Sequence, residues 1–426
     1  MHAEGMVAGV PLIDLDHTPP PAVAAAALPR TRPFLVAALA AVLLTLGGAG
    51  TAAPGLTPVL STAAGVTAFQ LGAGSFFTAA SGEVRGYDLP GGSPRWTQAV
   101  TQDVQNLDYD AGARVLLVLA GREPRLTALD SESGRLLWTD EARDALVIGV
   151  ARGAVLTRID PATGPTRLRS VDARTGRLIW TRPVNFDGYL GPDELFTAAG
   201  SARIVLVDPA GAVIVLRFAD GSVLARGSLG VRFAPAVDQS VPAGFVNVSL
   251  VGDRLFVARS NQGRASLAAY SLAPVARLWQ VENAPIGTVV DCGSLLCVAG
   301  TRSVAAVDPA DGAVRWTQRE YGIAFRFDAR SVFAYDHQGD PETALLDTAT
   351  GRVLRRLGHS RQLGQVVLRA DPAAPGRTWV SAPERGTGVV RTLGALDGVA
   401  SFRCVATDRY LICPTTAGAT GVWRVR

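Results

Sequence analysis

One nine-residue pattern recurs along this chain and limits its possible folds more than any other feature. It reads Asp-x-x-x-Gly-x-x-x-Trp, and each copy follows a short apolar run of β type. Asp88, Gly92 and Trp96 fit it, as do Asp130, Gly134 and Trp138, then Asp172, Gly176 and Trp180, then Asp308, Gly312 and Trp316. Asp347 and Gly351 fit with Arg355 in the tryptophan place. Arg217, Gly221 and Ala225 keep only the glycine, whereas Ser271, Val275 and Trp279 keep only the tryptophan. A weak further copy lies between Trp379 and Leu393, around Gly386 and Gly388.

The unit has a direct physical reading. Thr127-Ala-Leu-Asp130 is extended and apolar, Ser131-Glu-Ser-Gly134 is a turn, and Arg135-Leu-Leu-Trp138 is the returning strand. Glycine supplies positive φ in such a turn, and Asp or Ser bonds nearby backbone amides. Each copy is thus a β-hairpin that ends on a large aromatic. Two more β-like runs precede most hairpins, for example Val115–Leu119 and Ser331–Tyr335. Trp96, Trp138 and Trp180 are 42 residues apart, so four short strands recur at the period of a propeller blade. A single sheet of that size cannot bury both faces. Packing the sheets around an axis does so, with the tryptophans expected to cover neighbouring blades rather than to stack on a ligand.

The segments 126–138, 170–180 and 304–316 resemble the tryptophan-docking repeat of the PQQ-like quinoprotein propellers, a superfamily that includes quinoprotein alcohol dehydrogenases and BamB-type assembly lipoproteins. The resemblance covers about residues 60–426 and implies an all-β propeller of about eight four-stranded blades. Seven hairpins and a weak eighth can be placed, so seven blades stay open as a count. The C-terminal strands in 403–426 are expected to close the ring with strand-like sequence near Leu56–Leu60, which would remove open sheet edges.

Residues 1–32 read as a flexible tail, with a Pro19-Pro-Pro21 run and the acidic-apolar patch 12–16. Residues 33–53 read as a transmembrane signal-anchor helix, since Phe34 to Ala53 carries no charge and about 20 apolar residues cross a bilayer. Arg30 and Arg32 precede it and no charged residue follows before Glu83, so the tail is expected in the cytoplasm and residues 54–426 outside it. A cleaved signal peptide ending near Ala53 exports the same domain. The lipobox cysteine of BamB-type lipoproteins does not follow this segment.

Four cysteines form two close pairs, Cys292 with Cys297 and Cys404 with Cys413, each bracketing turn-like sequence. In an exported domain an even count favours disulfides, and the two local pairings need the least rearrangement. Buried free thiols are the alternative, and the spacings are not those of zinc ligands.

Chemistry is sparse. Hydrophobic residues make up 48% and charged residues 18%, so the chain has the means to fold. All 41 basic residues are arginine, and no basic block is interleaved with aromatics, so no nucleic-acid partner is expected. An active quinone site of the superfamily would imply a vicinal Cys-Cys pair and an Asn/Glu/Asp calcium site, neither of which the sequence shows. His337 and His359 read as loop residues, and Asp103, Asp108, Asp110 and Asp187 lack the spacing of a calcium loop. No catalytic, cofactor or metal residue is therefore expected. The expected function is a membrane-anchored, non-enzymatic scaffold for exported or membrane proteins, held by residues 34–53. Quinone or other ligand binding of the dehydrogenase kind is the alternative.

Overall fold

The fold is seen in a computed structural model that describes residues 55–426 apart from 73, 122–124, 141–144, 160–164, 185–202, 209, 233–245, 262–263, 301–302 and 337–341. The tail at 1–32 and the apolar segment at 33–53 lie outside the described residues. Among the described residues no helix is long and apolar enough to cross a membrane. The one helical element there is the 3-10 turn Ser401–Arg403.

The strands form nine antiparallel sheets. Eight have four strands. The sheet over 203–228 has three, and the chain just before it, 185–202, lies outside the described residues. Blade 1 is Val66–Leu71, Ser75–Ala80, Glu83–Asp88 and Pro94–Ala99, paired in chain order. Blades 2 to 8 follow at 104–140, 145–183, 203–228, 246–282, 288–318, 323–359 and 361–397. First strands of neighbouring sheets touch, as Val66–Leu71 does Val104–Asp110 and Val246–Val251 does Thr288–Asp291. They converge on a common axis, which makes the assembly a propeller.

Burial explains the sequence pattern strand by strand. Second and third strands lie between two neighbouring blades and are covered on both faces, so they read as continuous apolar runs. Val115, Leu116, Leu117 and Val118 are all at most 1% exposed. Fourth strands form the outer rim and alternate, leaving Leu136, Leu178 and Val314 exposed.

The ninth blade corrects the expected count of about eight. Val405–Ala406, Tyr410–Pro414 and Thr420–Val425 make its first three strands, and Leu56–Ser61 from the other end of the chain makes the fourth. Leu56 pairs with Val425 and Ser61 with Gly421, and the Arg426 amide donates to the Gly55 carbonyl. The eighth blade is complete without these strands, so the closing sheet is an additional one. Closure of 403–426 on Leu56–Ser61 agrees with the expectation, but as a sheet beyond the eight hairpin repeats, because its own hairpin lacks the motif. Closure joins the ends of the array and leaves no first or last blade with an open face.

Both expected disulfides are present. Cys292–Cys297 staples the first turn of blade 6, and Cys404–Cys413 ties the link after blade 8 to the second strand of blade 9.

The tryptophans make the joints. Trp316 is 9% exposed and packs on Gly351 of the next blade. Trp316→Ala should cost about 3–5 kcal/mol, while Leu136→Ala on the exposed rim should cost under about 0.5 kcal/mol. Comparison of urea unfolding midpoints checks this, and equal shifts for the two variants would contradict the packing role.

Candidate functional site

Consecutive antiparallel strands place their turns on alternate ends. The turns between first and second strands and between third and fourth strands therefore share one face of the ring, here called the repeat face. Turns between second and third strands and the links between blades occupy the other.

The repeat residues build the repeat face. Each repeat aspartate caps its own turn: Asp130 Oδ1 accepts from the amides of Glu132 and Ser133 and from Ser133 Oγ, and Asp172 Oδ1 does the same for Arg174 and Thr175. Asp88, Asp308 and Asp347 cap theirs through Gly91, Ala310 and Thr350. The glycines sit at positive φ, from +64° at Gly221 to +77° at Gly312, where a side chain is strained. They also leave room for the tryptophan of the preceding blade. A Cβ on Gly134, Gly176, Gly221, Gly312 or Gly351 would lie 2.5–2.8 Å from the ring of Trp96, Trp138, Trp180, Trp279 or Trp316.

Each ring is also held by its N–H. Trp96 donates to the Ser131 carbonyl at 3.0 Å, Trp138 to Ala173 at 2.8 Å, Trp180 to Phe218 at 2.9 Å, Trp279 to Pro309 at 3.0 Å and Trp316 to Thr348 at 2.8 Å. The acceptor is always the residue after the repeat aspartate, or after Arg217 where that aspartate is missing. The repeat is therefore a two-part joint, with its tryptophan serving the next blade and its turn receiving the previous one.

The joint between blades 7 and 8 departs from this scheme. Arg355 pairs with Leu345 in the register that Trp316 occupies against Ala306, and it is exposed. In the receiving turn, Glu384-Arg385-Gly386-Thr387-Gly388 stands where blade 3 has Asp172-Ala-Arg-Thr-Gly176. Arg174 there reaches back to the Ala113 carbonyl and to Asp130, filling the space beside blade 2. Gly386 offers no side chain in that place. A solvent-open cavity of about 550 Å³ results, lined by Arg326, Phe327, Asp328, Arg330, Arg385 and Gly386 among others.

Its charge is uneven. Asp328 Oδ1 accepts from the amides of Arg330 and Ser331, and Oδ2 from that of Gly386 across the joint at 2.8 Å. Burial pushes the Asp328 carboxyl up, but these bonds outweigh it and hold it below the usual carboxylate range. The carboxylate is engaged by amides rather than by the arginines. Arg326 pairs with Asp291 at 3.1 Å on an exposed surface, and Arg330 and Arg385 have no ion-pair partner among the described residues. The cavity thus gathers three guanidinium groups around the Asp328 carboxylate, with Arg326 also paired to Asp291.

The other expected residues are dispersed. Asp103, Asp108 and Asp110 lie on or beside the first strand of blade 2, and Asp110 joins blade 2 to the Gly153 amide of blade 3. Burial raises Asp108 above its ordinary range. His359 ends the last strand of blade 7, whereas Asp187 and His337 lie outside the described residues. Among the described residues no three His, Cys, Asp or Glu side chains are grouped to hold a metal ion. The disulfides join residues 5 and 9 apart, so neither is the vicinal pair that a quinone site of the superfamily would use.

The geometry matches a known class. The family model described as outer membrane protein assembly factor BamB matches residues 49–189, 80–318 and 209–375. The chain belongs to this family of PQQ-like propellers. A search of curated proteins finds no match. Among solved structures, BamB from Moraxella catarrhalis shares 15% identity over 87% of this chain and 99% of that one, with a TM-score of 0.49. The quinohemoprotein alcohol dehydrogenase ADHIIG from Pseudomonas putida HK5 shares 12% identity over 87% of this chain and 76% of that one, with a TM-score of 0.40.

Arg326, Arg330 and Arg385 were not singled out from sequence. The available signals were Arg355 in a tryptophan place and Gly386 two residues after Glu384.

Because the Asp328 carboxyl is depressed in the folded chain, its stabilisation is complete above the ordinary value of 3.8 and is lost as pH falls through the lowered one. Asp328→Asn should therefore lower stability at neutral pH by about 1 kcal/mol, with partial exposure limiting the effect. Urea midpoints for the variant and wild type should converge as the carboxylate is protonated in acid. A gap that stays constant into acid would contradict the assignment.

Proposed function

We propose that this protein is a membrane-anchored propeller outside the cytoplasm that acts as a non-enzymatic scaffold for exported or membrane proteins. The observation that carries the reading is the closed ring of nine interlocked blades. Such a ring holds short turns on two faces with little freedom, and binding residues are often displayed on loops fixed by a rigid frame. Family membership supports the same direction, because the family is described by assembly work at the outer membrane. The fold alone does not set activity.

Anchoring is supported by the uncharged segment Phe34 to Ala53 with Arg30 and Arg32 before it. The two disulfides suit an oxidising compartment.

The test is photo-crosslinking in intact cells. A photoreactive residue at Phe402, which is 70% exposed on the face opposite the repeat turns, should give adducts with one or a few exported or envelope proteins. Placed at Leu278, on the exposed rim, it should sample a second surface. Absence of protein adducts at both sites would defeat the scaffold reading.

A further inference from the structure

We propose that the turn Ser401–Arg403, on the face opposite the repeat turns, is the docking point for an exported partner protein. The segment it receives carries a large apolar side chain flanked by carboxylates. This inference rests on the scaffold reading above and adds a site and a partner chemistry to it.

Exposure singles the turn out. Phe402 is 70% exposed, more than any other large hydrophobic residue among the described ones. Leu136, Leu178, Leu278 and Val314 are also exposed, but they lie on outer strands along the rim. Phe402 stands instead in the link from blade 8 to blade 9, and Val405, which begins the first strand of blade 9, is 40% exposed. Exposed apolar residues scattered over a surface are ordinary. Phe402 differs from them in how its backbone is held.

The link is fastened on both sides of the aromatic. Before it, the Gly398 amide donates to the Gly376 carbonyl at 2.8 Å, the Thr416 amide to the Gly398 carbonyl at 2.7 Å and the Ala400 amide to the Pro414 carbonyl at 2.8 Å. Val399 bridges to Thr415 and is 8% exposed. After it, Cys404 is buried and bonded to Cys413. Arg361 of blade 8 donates to the Phe402 carbonyl itself. The residues around Phe402 are thus tied inward while its ring is left in water. An anchor whose backbone is already fixed loses little freedom on docking, and an aromatic side chain has only two torsions to lose. Interface energy concentrates in a few anchors of this kind.

Charge supplies the partner chemistry. Arg403 is exposed beside Phe402 in the chain, and Arg361 reaches the turn from blade 8. Neither has an ion-pair partner among the described residues. The acid closest to Phe402 along the chain, Asp397, is already paired with Arg377 at 2.8 Å. Two guanidinium groups next to an exposed aromatic suit carboxylates that flank an apolar side chain, because arginine forks bind carboxylate oxygens two at a time. A basic segment would meet like charge there, and complementary charge selects against such partners.

The experiment uses the full chain in its own cells, with a benzophenone side chain in place of Val405 or, as a control, of Leu278 on the rim. The probe at Val405 should join an exported protein, and the joined segment should carry Asp or Glu beside a large apolar residue. Phe402→Ser should lower the adduct yield about ten-fold and Arg403→Glu about three-fold. Arg403→Lys, which keeps the charge, should lower it less than Arg403→Glu. Both side chains are exposed, so unchanged urea unfolding midpoints separate lost docking from misfolding. A yield indifferent to Phe402→Ser and Arg403→Glu, a joined segment without acids, or a bond to the same chain or to a second copy overturns the inference. Adducts from Leu278 with none from Val405 overturn the inference alone and leave the scaffold reading standing. Absence of adducts at both positions defeats the scaffold reading and this inference with it.

Discussion

The architecture depends on one contact, a tryptophan ring laid on a glycine of the next blade. The ring needs a flat surface without a Cβ, and its N–H needs an acceptor once it leaves water. The repeat turn meets both needs, because the residue after the aspartate turns its carbonyl outward and the glycine at positive φ exposes bare backbone. The aspartate contributes by capping the turn so that carbonyl and glycine keep a fixed spacing. Three residues four positions apart thus specify an interaction between sheets, although each copy is local in sequence. A chain of such joints forms by repetition, and only the last joint needs contact between the termini.

That locality explains how much was legible. The hairpins, the fold class and the structural role of the tryptophans could be read because turn chemistry and β patterning are short-range. The cysteine pairs were readable for the same reason, since each spans a single turn or link. Blade number was not. Blade 9 has no repeat, takes Leu56–Ser61 from the far end of the chain and begins with a first strand of two residues. At the joint from blade 9 to blade 1, Gly92 meets the Val59 carbonyl and Leu60 rather than a tryptophan, so the usual marker is missing there. Non-local pairing of this kind leaves no periodic trace.

The weak copies are informative in different ways. In blade 4 Ala225 stands in the tryptophan place, and the joint to blade 5 is made instead by Gly227 against Val275 and by Tyr270, whose hydroxyl donates to the Leu229 carbonyl. That loss is repaired by other packing, and Tyr270 is 6% exposed. Between blades 7 and 8 the joint keeps a small contact of Leu354 on Gly388 and a bond from the Gly386 amide to Asp328. The space used elsewhere by a side chain such as Arg174 stays open. Sequence reading marks both positions as degenerate repeats but cannot tell a repaired joint from an open one, because the repair comes from residues outside the repeat.

An open joint in an otherwise packed ring has an energetic meaning. Docking an aromatic on glycine buries apolar area and satisfies one N–H, a contribution available at this joint as at the others. Arg355 instead points to solvent, and the cavity gathers Arg326, Arg330 and Arg385 against a carboxylate already engaged by amides. Local rules that are broken without repair tend to mark function rather than folding. Here the break falls on the face where the chain enters the propeller and on the blade against which Gly55 is packed.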